Sequence, residues 1–194
     1  MKDKLVVIAC STGGPKALQK IIPLLPKCIG CPILIVQHMP AGFTKSLAER
    51  LNSLSEVNVL EADENLSLQD GTAYLAKGGF QMLIEKAPLG KHLIKLNDRP
   101  AKNGLRPCAD ELFKSLVQTD YKNIVVAVLT GMGDDSLEGI KILNEYKNLY
   151  IITQDKETST VYGMPKAIYE AGFADEIAPL HKMAEVITKN VEVH

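Results

Sequence analysis

The chain has 194 residues, 46% of them hydrophobic, which is enough for one well-buried globular core and short for two. Lys and Arg total 22 against 23 Asp and Glu, a formal charge of -1, so no global field draws the protein onto nucleic acid or an acidic membrane surface. Four cysteines are few for a disulfide scaffold of this length, and no run of about 20 apolar residues is present to span a membrane, so a reduced, cytoplasmic protein without membrane insertion is expected.

The first apolar run, Leu5 to Ala9, reads as a strand that stops at Cys10-Ser11-Thr12-Gly13-Gly14 and gives way to helical spacing over Lys16 to Leu25. Leu5 to Cys10 is shorter than the ~7–15 residues of a signal-peptide core, so no export signal is expected. Cys28-Ile29-Gly30-Cys31 has the spacing of half a zinc site, but no second Cys or His pair at ligand spacing completes it, and neither metal nor cofactor is expected. A second strand, Pro32 to Gln37, ends at Gln37-His38-Met39-Pro40, and a helix over Thr44 to Leu54 leads to a third strand, Val57 to Ala62. Next come Thr72 to Ala76, Gln81 to Lys86 and Lys91 to Leu96, short and alternating, separated by Gly78-Gly79 and Pro88-Leu89-Gly90; these predict an antiparallel insertion. Helical spacing over Cys108 to Thr119, a strand over Asn123 to Thr130, a helix over Asp135 to Glu145 and a strand over Leu149 to Thr153 complete the alternation. Met164 to Ala171 and Leu180 to Lys189 predict the last two helices. Several strands are apolar on both faces, as parallel strands covered by helices must be. The pattern therefore predicts a doubly wound α/β fold, a mostly parallel sheet with helices on both faces and a small hairpin insertion, with residues 1–194 as one domain.

In such a sheet, ligands and chemistry gather beyond the carboxyl ends of the strands. Three of those ends carry polar motifs: Ser11-Thr12-Gly13-Gly14, His38 in Gln37-His38-Met39-Pro40, and Thr130-Gly131-Met132-Gly133-Asp134-Asp135. A serine hydroxyl attacks a carbonyl only if a neighbour takes its proton, and an imidazole held by a carboxylate is suited to that near neutral pH. His38 is the candidate base, and Asp134 or Asp135 the candidate carboxylate. The simpler readings stand beside this one: Ser11 as a helix cap or part of a phosphate cradle, His38 as a hydrogen-bonded structural residue, Asp135 as a helix cap. The loop lacks both the Lys-Ser/Thr of a P-loop and a G-x-G-x-x-G, and Ser11 lacks the G-x-S-x-G elbow of α/β-hydrolases. Met39, Met132 and Met164 are expected chiefly to pack in the core, and Tyr162 to be structural.

The segments CSTGGPKAL, QHMPAGFTKSLAERLN, DGTAYLA, RPCADELFKS, VLTGMGDDSLEG and YGMPKAI together resemble the catalytic domain of the CheB-type chemotaxis methylesterases, nearly end to end. The resemblance implies a serine esterase that removes methyl esters from glutamates on the cytoplasmic helices of chemoreceptors and, in some members, deamidates receptor glutamines. It implies Ser11 as nucleophile, His38 as general base and Asp135 as orienting carboxylate, with Met132 and Thr12 supporting the oxyanion and Arg106 as a substrate contact; a surface partner for Arg106 is the alternative. Family members commonly carry an N-terminal receiver domain whose phosphorylation uncovers the active site; this chain is expected to be either a stand-alone methylesterase or an excised fragment, with a separate phosphorylated regulator as one further partner the resemblance allows. Three positions depart from the family pattern: Ser136 where glycine is usual, Lys77-Gly78-Gly79 at the hairpin edge, and Leu105 before Arg106-Pro107. These departures keep a second expectation open, a catalytically silent member that binds receptor or regulator.

Overall fold

The structure, a computed structural model, describes residues 3–193. In chain order its strands are β1 (Lys4–Cys10), β2 (Ile33–Gln37), β3 (Asn58–Glu61), β4 (Thr72–Leu75), β5 (Gln81–Ala87), β6 (Lys91–Asn97), β7 (Asn123–Val128), β8 (Asn148–Gln154) and β9 (Glu176–Ala178). The α-helices are α1 (Gly14–Ile21), α2 (Thr44–Leu54), α3 (Ala109–Leu116), α4 (Leu137–Asn144), α5 (Met164–Glu170) and α6 (Met183–Val193). A seven-stranded sheet runs in the order β3-β4-β2-β1-β7-β8-β9 with every pairing parallel, and β5 and β6 form a separate antiparallel pair.

Period-two alternation along β1 explains the three layers. Val6, Ile8 and Cys10 face one apolar cluster with α1, α2 and α6, while Leu5, Val7 and Ala9 face another with α3, α4, α5 and the β5–β6 hairpin. Each buried Ile, Leu or Val contributes roughly 1.5–3 kcal/mol by leaving water, so a central strand inaccessible on both faces anchors the whole sheet. The chain leaves β1 toward β2 on one side and returns to β7 on the other, which puts the topological switch between β1 and β7.

The expected doubly wound fold is therefore the observed one, with local differences. Thr72 to Ala76, assigned by alternation to the antiparallel insertion, instead supplies β4, paired in parallel between β2 and β3 and buried throughout. A run of four residues carries too little periodicity to distinguish a meander strand from an interior one; its neighbours decide. β9 was not expected, because three residues at the sheet edge are too short to register as a strand. The first helix turns into a 3-10 segment at Ile22–Leu24, where Pro23 has no amide to continue the α ladder. The last helix likewise begins at Met183, after a 3-10 turn over Leu180–Lys182. No helix among the described residues is long and apolar enough to cross a membrane. All four cysteines are free thiols.

Candidate active site

Ser11 follows the last residue of β1, and His38 follows the last residue of β2. Cys10 and Gln37 are paired in register, so Ser11 and His38 are the next residues outward on neighbouring strands. The His38 amide donates to the Cys10 carbonyl at 3.2 Å, and the Ser11 amide donates to Thr130, beyond β7, at 3.0 Å. The Ser11 backbone is thus tied to both neighbours at the switch point. Gly131 lies directly beneath it: a Cβ there would collide with Met164 Sδ and approach Ser11 Cβ to 2.9 Å.

Gln37 is a member of this cluster that motif reading passed over. It is buried, and its Nε2 donates to the Ser11 carbonyl at 3.0 Å and the His38 carbonyl at 3.1 Å, while its Oε1 accepts from Cys10 Sγ at 3.1 Å. Gly14 makes room for it, since any Cβ at that position would strike Oε1. The available signal was a polar residue closing the otherwise apolar run Ile33–Gln37.

The imidazole of His38 meets Asp135 with Nε2 2.6 Å from Oδ2. Nε2–H is thereby committed to the carboxylate, leaving Nδ1 as the nitrogen that can take a proton. Asp135 is buried and accepts four further donors: Ala109 N at 2.7 Å on Oδ2, with Asp110 N at 3.0 Å, Cys108 Sγ at 3.1 Å and Ser136 N at 3.1 Å on Oδ1. Burial alone would raise its carboxyl, but the hydrogen bonds from His38 and the Ala109 and Asp110 amides outweigh that and hold it below the usual carboxylate range. Besides meeting His38, Asp135 does cap a helix, as its simpler reading expects, but at the start of α3, whose N-cap residue Cys108 makes no side-chain cap. Asp110 returns the arrangement: its Oδ1 accepts from Ser136 N at 3.1 Å and Gly139 N at 2.7 Å, capping α4. The two helix N-termini therefore exchange carboxylates, an interaction no local spacing encodes.

The other candidates are placed as follows. Ser11 does not cap α1: the N-cap is Gly13, at φ 85°, and no side chain caps that helix. The Ser11 hydroxyl makes no hydrogen bond among the described residues, and neither does the amide of Thr12 or of Met132. Met164 packs in the core as expected, Met39 packs partly against it, and Met132 does not pack: it is 73% exposed above the site. Arg106 directs Nη1 at the carbonyls of Asp98 (2.8 Å) and Arg99 (3.1 Å), and with His38, Met39 and Leu105 it lines a pocket of about 260 Å3. A larger cleft of about 820 Å3 runs along α2 and β3 and includes none of these residues, whereas the pocket at His38 and another of about 210 Å3 lined by Leu105, Met132 and Asp135 border the candidate chemistry. Cys28 is exposed while Cys31 is buried; the three groups close enough to share an ion are instead Cys108, Asp110 and Asp135. Their carboxylate oxygens are already engaged, by helix-start amides and His38 on Asp135 and by amides and Lys102 Nζ on Asp110, which fits a capping cluster better than a metal cage.

Fold and cluster together define the class: a doubly wound α/β protein whose carboxyl edge carries a half-buried serine, a half-buried histidine paired with a buried aspartate, and loop amides that are unpaired among the described residues. The chain belongs to the CheB methylesterase family, whose profile matches residues 6–187. It is 45% identical over 192 residues to the protein-glutamate methylesterase/protein-glutamine glutaminase of Archaeoglobus fulgidus, covering 99% of this chain and 54% of that protein. To the protein of the same name from Desulfotalea psychrophila it is 43% identical over 194 residues, covering 100% of this chain and 53% of that protein. The chain thus spans about half the length of the curated relatives it matches. The crystal structure of the Thermotoga maritima CheB methylesterase catalytic domain superposes with a TM-score of 0.92 at 40% identity, each chain fully covered.

Proposed function

We propose that residues 1–194 form one catalytic unit that hydrolyses glutamate γ-methyl esters on the cytoplasmic helices of bacterial chemoreceptors by acyl transfer. The observation that carries this reading is the 2.6 Å His38–Asp135 pair one strand away from an unbonded Ser11 hydroxyl. In the first half-reaction Ser11 Oγ attacks the ester carbonyl and its proton passes to His38 Nδ1. Asp135 holds the opposite edge of the ring and stabilises the imidazolium. The oxyanion that forms is met by the amides of Met132 and Thr12, each such donor being worth roughly 3 kcal/mol in a preorganised site. Methanol leaves with the proton from His38, and water, activated by the same nitrogen, releases the glutamate and frees Ser11. An amide substrate follows the same path with ammonia as leaving group, consistent with the glutaminase in the relatives' names. Hydrogen bonds between nucleophile and base are commonly loose in unliganded enzymes and tighten on substrate binding, so the free Ser11 hydroxyl suits this role.

Arg106 is assigned to the substrate: Nη1 is held by two carbonyls, and the residue lines the pocket beside His38, where its positive charge would meet carboxylates of a receptor helix. A separate phosphorylated regulator is a further partner on this reading, though the unit is expected to have basal activity without one. Ser136 supplies little support for a silent binding module, because its amide still donates to Asp135. The test is methanol release from methylated receptor fragments by the wild type, Ser11→Ala, His38→Ala and Asp135→Asn. All three variants are expected to lose nearly all turnover; variants as fast as an active wild type would overturn the assignment.

A further inference from the structure

Asp135 accepts five donors with a carboxylate that offers about four lone-pair directions, so every one of its oxygens' contacts matters for where Oδ2 points. Three of the five are backbone amides, of Ala109, Asp110 and Ser136, set by the starts of α3 and α4. The fourth is His38 itself. The fifth is the thiol of Cys108, whose Sγ lies 3.1 Å from Oδ1, on the oxygen that does not face the imidazole. A buried thiol has many apolar substitutes that would pack as well, yet here the sulfur stands at hydrogen-bond distance from a carboxylate.

We propose that Cys108 is a positioning residue: its S–H donates to Oδ1 of Asp135, holds the carboxylate so that Oδ2 meets His38, and moderates the pull of Asp135 on the imidazole proton. The inference rests on the acyl-transfer reading above, in which Asp135 serves the base. Two features make the thiol a dependable donor. Burial first, and then the charge and hydrogen bond of Asp135, push it up to about 12, so it stays protonated through the neutral range. Its backbone amide is held separately, donating to Gln81 Oε1 at 2.8 Å, which fixes the residue from the hairpin side. The remaining charged groups around Asp135 come from several elements. His38 follows β2, and Asp110 lies on α3 with Lys102 Nζ 3.4 Å from its Oδ2. Lys102 also reaches Glu138 on α4 at 2.9 Å and Glu111 on α3 at 3.6 Å, and exposed Asp134 precedes Asp135 in the loop. None of these donates a hydrogen bond to Asp135 except His38, so the thiol is the one side-chain donor, among the described residues, that can be altered without touching the base.

Without the thiol proton, Asp135 becomes a stronger acceptor and draws the His38 Nε2 proton closer. A serine in its place, a stronger donor than a thiol, acts in the opposite sense. The test compares the whole chain as wild type, Cys108→Ala and Cys108→Ser by two readouts: the proton resonance of His38 Nε2–H, and the acid limb of the pH dependence of kcat/KM for methanol release. The resonance is expected furthest downfield in C108A, intermediate in the wild type and least downfield in C108S. The acid limb should follow in the same order, rising by about 0.5 pH unit in C108A, roughly a threefold change in proton affinity, with KM unchanged. A residue that merely filled space would alter the thermal midpoint and leave both readouts where they are; that result, or C108S moving with C108A, overturns the proposal. Should C108A not fold, the order of wild type and C108S decides alone, and identical resonances reject the proposal. If the resonances follow the expected order in proteins that release no methanol, the positioning role stands and the esterase reading falls.

Discussion

Ser136 is buried with φ 104° and ψ -28°, a backbone region that a side chain rarely enters, and its hydroxyl is fully enclosed with no hydrogen-bond partner among the described residues. Replacing it by glycine removes both penalties. Relief of a non-glycine residue at positive φ is worth roughly 1–2 kcal/mol, and removing a buried unpaired hydroxyl about 1–3 kcal/mol. Against these stand the greater freedom of glycine in the unfolded chain, about 0.5–1 kcal/mol, and the small void left by two atoms, about 1 kcal/mol. The balance favours Ser136→Gly by about 1–2 kcal/mol, or roughly 3–6 °C in midpoint for a domain of this size. The Ser136 amide, which donates to Asp110 and Asp135 at 3.1 Å each, is retained, so turnover should be kept. Urea unfolding followed by circular dichroism measures the difference, and Ser136→Ala separates the terms, because alanine loses the hydroxyl and keeps the backbone conformation. A Ser136→Gly protein no more stable than wild type would refute the reasoning, since neither the backbone nor the hydroxyl penalty would then be real.

Gly14→Ala forces a methyl group against Gln37 Oε1 and should cost about 1–3 kcal/mol by overpacking; kcat should fall with it as the Ser11 and His38 carbonyls lose their shared donor, and unchanged stability and turnover would show that the Gln37 brace is dispensable. Asp135→Asn presents an amide group to helix-start N–H donors that now share a single acceptor, so beyond a turnover loss of roughly 10³–10⁴ it should unfold at distinctly lower urea; unaltered urea resistance would argue against the capping role. His92 is buried, lies against the Tyr121 ring at a tilt of 37°, and accepts the Asp120 amide on Nε2 at 3.1 Å. Burial first, with help from Lys86 and Lys147, holds it below the ordinary histidine range despite the opposing charge of Asp120. The unfolded chain therefore binds a proton more readily, and stability present above about pH 6.5 is lost as pH falls through the depressed native value. His92→Gln, which keeps an acceptor without titrating, should flatten that part of the stability–pH curve; an unchanged slope would reject the assignment.

Much of the architecture was legible in local pattern. Apolar runs such as Leu5 to Ala9 and Asn123 to Thr130, separated by amphipathic segments, specify parallel strands between helices because backbone pairing and burial on both faces leave few alternatives. Ser11 and His38 could be picked out for a related reason: polar residues ending apolar strands fall at the one edge of such a sheet where they can meet. The order Cys10↔Gln37 in the β1–β2 register makes that meeting concrete.

Where the pattern fell short, the deciding contacts join residues far apart in the chain. Thr72–Leu75 became an interior strand because β2 and β3 leave a gap that only it fills, a choice made by neighbours and not by its own four residues. Choosing Asp135 over Asp134 needed either a family resemblance or the packing of α3 against α4, since acids adjacent in sequence are equivalent until one of them finds amides to accept. The thiol of Cys108 and the amide of Gln37 gained their roles in the same way. Hydrophobic periodicity is a property of a segment and survives in a string of letters; hydrogen-bond partners 25 or 97 positions away exist only once the segments have been brought together.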